Sequence, residues 1–94
     1  MTEQEQQVAI AEFDGWEGDE RKYFPDYLHD LNAIHGAWCL LNSDEKLRFK
    51  SELWDVVKKS TKTIFTNEIY SLQVNATAQQ RSEALLRVIG KWKD

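Results

Sequence analysis

A small α+β domain, predominantly helical with a short sheet near residues 62–74, is the fold class predicted by these 94 residues. Apolar side chains recur every three or four positions in about four stretches, the period that lines one face of a helix. Residues 61–74 instead gather Thr61, Thr63, Ile64, Thr66, Ile69, Tyr70 and Val74, side chains that favour strands, and Tyr70, Leu72 and Val74 alternate with polar neighbours. Hydrophobic residues make up 41% of the chain and include four Trp, four Phe and three Tyr, enough to build a core around one domain spanning 1–94.

The first helix is expected over about residues 4–14, where Val8, Ala9, Ala11 or Glu12, and Trp16 hold helical spacing, Phe13 lies nearby and Gly15 supplies a stop. Its first few residues are expected to fray. Glu17-Gly-Asp-Glu-Arg-Lys reads as an exposed charged turn, because burying so many unpaired charges costs too much. Pro25 suits the first turn of a helix, where its missing N–H costs nothing, and Asp26 adds negative charge at the positive end of the dipole. A second helix is therefore predicted from Pro25 to Asn42, with Tyr27, Leu28, Leu31, Ile34, Trp38 and Leu41 inward and Gly36 a weak point of about 1 kcal/mol.

Ser43 is the expected cap of a third helix, with Asp44 and Glu45 in its first turn, Lys58 and Lys59 in its last, and Leu47, Leu53, Trp54 and Val57 as its buried stripe. Residues 60–74 fit two periods. Trp54, Val57, Thr61, Ile64, Glu68 and Leu72 also recur as a helix would, but the alternation after Tyr70 assigns strand to the second half. The last helix carries the fullest instructions: Thr77 and Gln80 form a capping box, Ala78, Leu85, Val88, Ile89 and Trp92 make an apolar stripe, and Gly90 offers a left-handed exit.

Composition narrows function by exclusion. Cys39 is the only cysteine, so no internal disulfide forms, no Cys-rich zinc site can be built, and a reducing compartment is the simplest setting. The polar, acidic start does not resemble a signal peptide and no run approaches a membrane span, so the expected location is the cytoplasm, with no membrane partner. The net charge of −4 is uneven: residues 1–31 hold nine acidic side chains against Arg21 and Lys22, whereas the remainder is net basic. An acidic surface repels phosphates and suits a basic protein partner.

No constellation for catalysis stands out, and no cofactor is expected. His35 and Cys39, four apart, would share a helix face, yet without a third and fourth ligand a packed thiol beside a partly buried imidazole is the better account. Asp26, His29 and Asp30 lie within one and a half turns but have no nucleophile to serve. Lys46, Arg48, Lys50, Lys58, Lys59 and Lys62 make 46–62 locally basic, but Glu45, Glu52 and Asp55 interleave, and nucleic acid is the less favoured partner. Trp38 and Trp54 are expected to fill the core, whereas Trp16 and Trp92 sit at element ends where partial exposure is easier.

Three blocks, Ile10-Ala-Glu-Phe-Asp-Gly-Trp16, Pro25-Asp-Tyr-Leu-His-Asp-Leu-Asn-Ala-Ile-His35 and Asn75-Ala-Thr-Ala-Gln-Gln-Arg-Ser-Glu-Ala-Leu-Leu-Arg-Val-Ile-Gly-Lys-Trp92, together resemble small phage and prophage proteins of the phage ABA sandwich domain type. The resemblance implies helices layered on a short sheet, here reduced to two strands or less because only Glu17 to Phe24 separate the first two blocks. It implies no catalytic or ligand residues. The function expected is therefore non-enzymatic binding of a host or phage protein with a basic surface, in one version an inhibitor of a host defence protein. Glu12, Asp14, Trp16, Glu17, Asp19, Glu20, Asp26 and Asp30 are the candidate contact residues. The alternative is a nucleic-acid-associated protein using the basic 46–62 segment.

Overall fold

The structure, a computed structural model, describes residues 1–16, 24–60 and 75–93. They form four helices, α1 (Glu3–Phe13), α2 (Leu31–Trp38), α3 (Ser43–Ser60) and α4 (Ala78–Val88). The fold is all-helical, with no strand among the described residues, and this overturns the α+β expectation. The sheet expected near 62–74 lies outside the described residues. A strand leaves its N–H and C=O groups pointing sideways and needs a neighbour to pair them. The described chain is helix and tight turn, so it supplies no such neighbour.

The helix ends follow local chemistry closely. Thr2 caps α1 through a capping box with Glu5, and Thr77 caps α4 in the same way with Gln80. Each of these helices closes on a glycine with positive φ, Gly15 at 96° and Gly90 at 76°. The residue beyond that glycine donates its N–H back into the helix, Trp16 to the Ala11 carbonyl at 3.0 Å and Lys91 to the Leu86 carbonyl at 2.8 Å. Both are Schellman closures, and both need the freedom that only glycine has at that φ.

α2 does not begin at Pro25. Residues 25–30 make one helix-like turn in which the Asp26 carbonyl accepts from His29 and Asp30, and then the chain straightens at Asp30, whose φ of −120° and ψ of 110° are extended. In a continuous helix the Tyr27 carbonyl would take the Leu31 N–H. Here it accepts instead from the Ser82 hydroxyl at 3.0 Å, and the Asp30 carboxylate caps the new helix by accepting from the Asn32 N–H. A similar shift occurs before α3. Asn42 and not Ser43 is the cap, its side-chain oxygen accepting from the Glu45 N–H at 2.8 Å while the Glu45 carboxylate accepts from the Asn42 N–H at 2.9 Å.

The core is centred on α4, which packs against each of the other three described helices and most extensively on α3. Ala84, Leu85 and Leu86 are consecutive and have no exposed surface. Around them lie Ile10 and Ala11 of α1, Ile34 and Ala37 of α2, and Phe49, Leu53, Val56 and Val57 of α3. The inward stripes differ from expectation in places. Leu31 and Leu47 are more than half exposed, and Trp54 is only half-buried, because the true stripes run through Ala37 in α2 and through Phe49 and Val56 in α3.

Tyr27 ties three segments together. Its ring is fully buried, its hydroxyl donates to the Asp14 carboxylate at 2.5 Å at the end of α1, and its carbonyl takes the Ser82 hydroxyl of α4. Ser82 is itself fully buried and shares that proton with the Ala78 carbonyl at 2.8 Å. Gln7 of α1 adds a side-chain hydrogen bond to the Pro25 carbonyl. The turn at 24–30 is therefore fastened along α1 at two places and to α4 at a third.

Two outcomes test this arrangement. In urea titrations, Leu85→Ala is expected to cost about 2–5 kcal/mol by opening a cavity at the centre, and Ser82→Ala about 1–3 kcal/mol by leaving the Tyr27 carbonyl without its partner. Equal and negligible effects would show that α4 is not the central element. Burial, reinforced by the hydrogen bond to Asp14, raises the Tyr27 phenol well above its ordinary value, with the Trp16 side chain working weakly in the other direction. A raised folded value favours the neutral phenol, so this contribution is intact below the unfolded value of about 10 and is lost as pH rises past it. Stability measured between pH 8 and 11 should fall less steeply in Tyr27→Phe than in the wild-type chain.

Candidate functional site

The described acidic residues of the first third fall on α1, its C-terminal end and the turn at 24–30, segments that Tyr27 and Gln7 hold together. Glu3, Glu5 and Glu12 on α1 and Asp26 and Asp30 on the turn are all exposed. Their local roles differ. Asp14 accepts the Tyr27 hydroxyl and is a structural acceptor at the end of α1. Asp30 caps α2, and Asp26 lies 2.9 Å from the His29 ring. Glu12 is an exposed carboxylate on the same helix, and Trp16 is half-buried against the core with its ring 5.6 Å from that of Phe24. Glu17, Asp19 and Glu20 lie outside the described residues.

Other charges modify this face. The Glu5 carboxyl is held below its ordinary value, first by the Thr2 backbone N–H and then by the Thr2 hydroxyl, with smaller help from the chain's amino terminus and Lys93. Gln79 of α4 reaches Glu3 at 3.4 Å, and the Met1 ammonium donates to the Lys93 carbonyl at 3.1 Å. The His29 imidazole is raised above its ordinary value by the hydrogen bond to Asp26, then by the charge of Asp26 and of Glu3.

A second group of polar side chains sits at the end of α2. The packed thiol and partly buried imidazole expected there are not what the fold presents, since His35 and Cys39 are both exposed. Ile34, Ala37 and Leu41 take the inward positions, which turns 35 and 39 outward. The Cys39 Sγ lies 3.6 Å from His35 Nε2, the His35 ring stacks on Trp38 at 5.3 Å and 21°, and Lys46 Nζ stands 4.6 Å from the centre of the Trp38 ring. Trp38 also meets Phe49 edge-on at 6.3 Å and is half-buried.

The basic segment is laid along α3 as far as Ser60, and Lys62 lies outside the described residues. Arg48, Lys50, Lys58 and Lys59 are exposed, and two shallow grooves run beside them, one lined by Lys50, Ser51, Trp54 and Asp55 and one by Glu52, Asp55, Lys58, Lys59 and Arg87. Acids line both grooves. No group of three His, Cys, Asp or Glu is placed to hold a metal ion among the described residues. No helix among them is long and apolar enough to cross a membrane.

Several features that shape these surfaces were not anticipated. Tyr27, Gln7 and Ser82 position the turn, and Lys46 on Trp38 pairs a charge from one helix with a ring from another. Only Thr2 had a readable signal, the Thr-x-x-Glu spacing that repeats the Thr77 and Gln80 pattern.

An NMR titration of the imidazole protons checks the acidic turn. A raised folded value means that the His29–Asp26 contact contributes below the unfolded imidazole value of about 6.5 and is lost as pH climbs through the folded one. Asp26→Asn should move the His29 midpoint downward; an unmoved His29 would mean that the contact does not persist in solution. The chain matches no protein-family model, no curated protein and no solved structure.

Proposed function

We propose that this chain acts by binding another protein, using the acidic surface built from α1 and the turn at 24–30, and that it performs no chemistry of its own. The observation that carries this reading is the fastening of the turn to α1, which puts the exposed carboxylates of Glu3, Glu5 and Glu12 in one unit with those of Asp26 and Asp30. The only described cationic side chain of that turn is His29, which is itself paired with Asp26. Charges of one sign on a fixed frame steer an oppositely charged partner and set its orientation more than they add raw affinity. A basic protein surface is thus the partner this face suits. The resemblance to phage and prophage proteins makes a host protein the specific form of that partner, met in the cytoplasm, where a lone cysteine stays reduced.

A nucleic-acid partner is the second reading, favoured by one feature, the half-buried Trp54 beside Lys50 in a surface groove. Asp55 lines the same groove and the chain as a whole is acidic, so phosphate would meet repulsion there.

Affinity capture from host lysate at low and at high ionic strength tests the proposal. A partner recovered at low salt should bind about 10-fold or more weakly once Glu12 and Asp26 are both changed to Lys, with the loss in association rate. Unchanged affinity in that variant would remove the acidic face from the interaction, and a salt-sensitive shift of an oligonucleotide on a gel would replace this reading with the second one.

A further inference from the structure

We propose that α2 carries one half of a tetrahedral zinc site, His35 and Cys39, and that the same two residues of a second copy of the chain complete it. The first support is geometric. Zinc bonds of about 2.3 Å to sulfur and about 2.0–2.1 Å to nitrogen, opened to a tetrahedral angle, place the two ligand atoms about 3.6 Å apart. Cys39 Sγ and His35 Nε2 stand 3.6 Å apart. A linear two-coordinate arrangement would need the sum of the two bonds, about 4.3 Å, and does not fit.

The pair is also held in place and open to solvent. His35 is stacked on the half-buried ring of Trp38, which limits its rotation, and both His35 and Cys39 are exposed. In the metal-free chain the spacing suits a hydrogen bond between thiol and imidazole. Metal replaces that proton, so each thiol loses one proton to solvent and two are released per zinc ion, leaving a neutral centre of two thiolates, two imidazoles and Zn2+.

The second copy follows from a count of ligands. Structural zinc sites draw four ligands from Cys and His, and the whole sequence holds one Cys and two His. His29 is not available to the pair, because it is six residues away and engaged with Asp26. A two-fold axis through the metal supplies the missing thiolate and imidazole from the same patch, the isologous arrangement commonest in small dimers. The surroundings suit contact between copies. Leu31, on the same helix stripe as His35 and Cys39, is 52% exposed, Leu40 next to Cys39 is 55% exposed, and Gly36 presents no side chain to hold a second α2 away.

The test uses the full chain with a phosphine reductant, so that no disulfide forms, and Zn2+ or Co2+ alone as the probe. Sedimentation velocity should show the mass doubling at one metal per two chains, with reversal by EDTA. The cobalt form should show the intense visible bands of a tetrahedral site and a thiolate charge-transfer band. His35→Ala and Cys39→Ser should each weaken metal binding by at least about 10-fold and abolish the metal-driven dimer, with far-UV circular dichroism unchanged because both positions are exposed. A chain that stays monomeric with metal, a dimer that EDTA does not dissolve, or variants that bind like the wild type would each overturn the proposal.

Discussion

Ala84, Leu85 and Leu86 are buried in succession on α4, and the fold is arranged around that fact. Successive helical residues are rotated by about 100°, so three in a row cover more than half the circumference and cannot be satisfied by one neighbouring helix. α1, α2 and α3 each take part of that surface. The polar member of α4, Ser82, is acceptable at the centre only because its hydroxyl has acceptors in Tyr27 and Ala78. That need draws the turn at 24–30 inward, and Tyr27 then reaches Asp14 and fixes the end of α1.

What the sequence disclosed was mostly local. The capping box at Thr77, the glycine exits at Gly15 and Gly90, and the existence of helices near 4–14, 43–59 and 78–89 all depend on residues within a few positions of one another. The errors arose where a distant residue decides. Pro25 looks like a helix start until the Tyr27 carbonyl is claimed by a serine 55 residues later. Leu31, Leu47 and Trp54 fit an inward stripe by spacing, yet which of two adjacent faces turns inward depends on where α4 lies. The β-favouring composition of 61–74 has force only where a neighbouring strand pairs with it, and the described residues offer none.

The surfaces were legible in kind and not in role. Acidic residue types were evident, but nothing in their order distinguished the half-buried bond of Asp14, the cap at Asp30 and the ring contact of Asp26 from the exposed Glu12. For His35 and Cys39, spacing correctly placed both on one face of α2. Their exposure depended on Ile34, Ala37 and Leu41 facing α4, which a helix considered alone does not reveal.

The hydrogen bond from Ser82 to Tyr27 spans most of the chain, and the helix that owns Ser82 is the last of the four in sequence. During synthesis from the N-terminus, α1, α2 and α3 emerge from the ribosome before the surface they share exists. Isolated helices as short as α1 and α2, 11 and 8 residues, have little stability in water. The surface that α1, α2 and α3 share therefore becomes available only once residues 78–88 have been made, and until then their apolar stripes lack the helix they pack against.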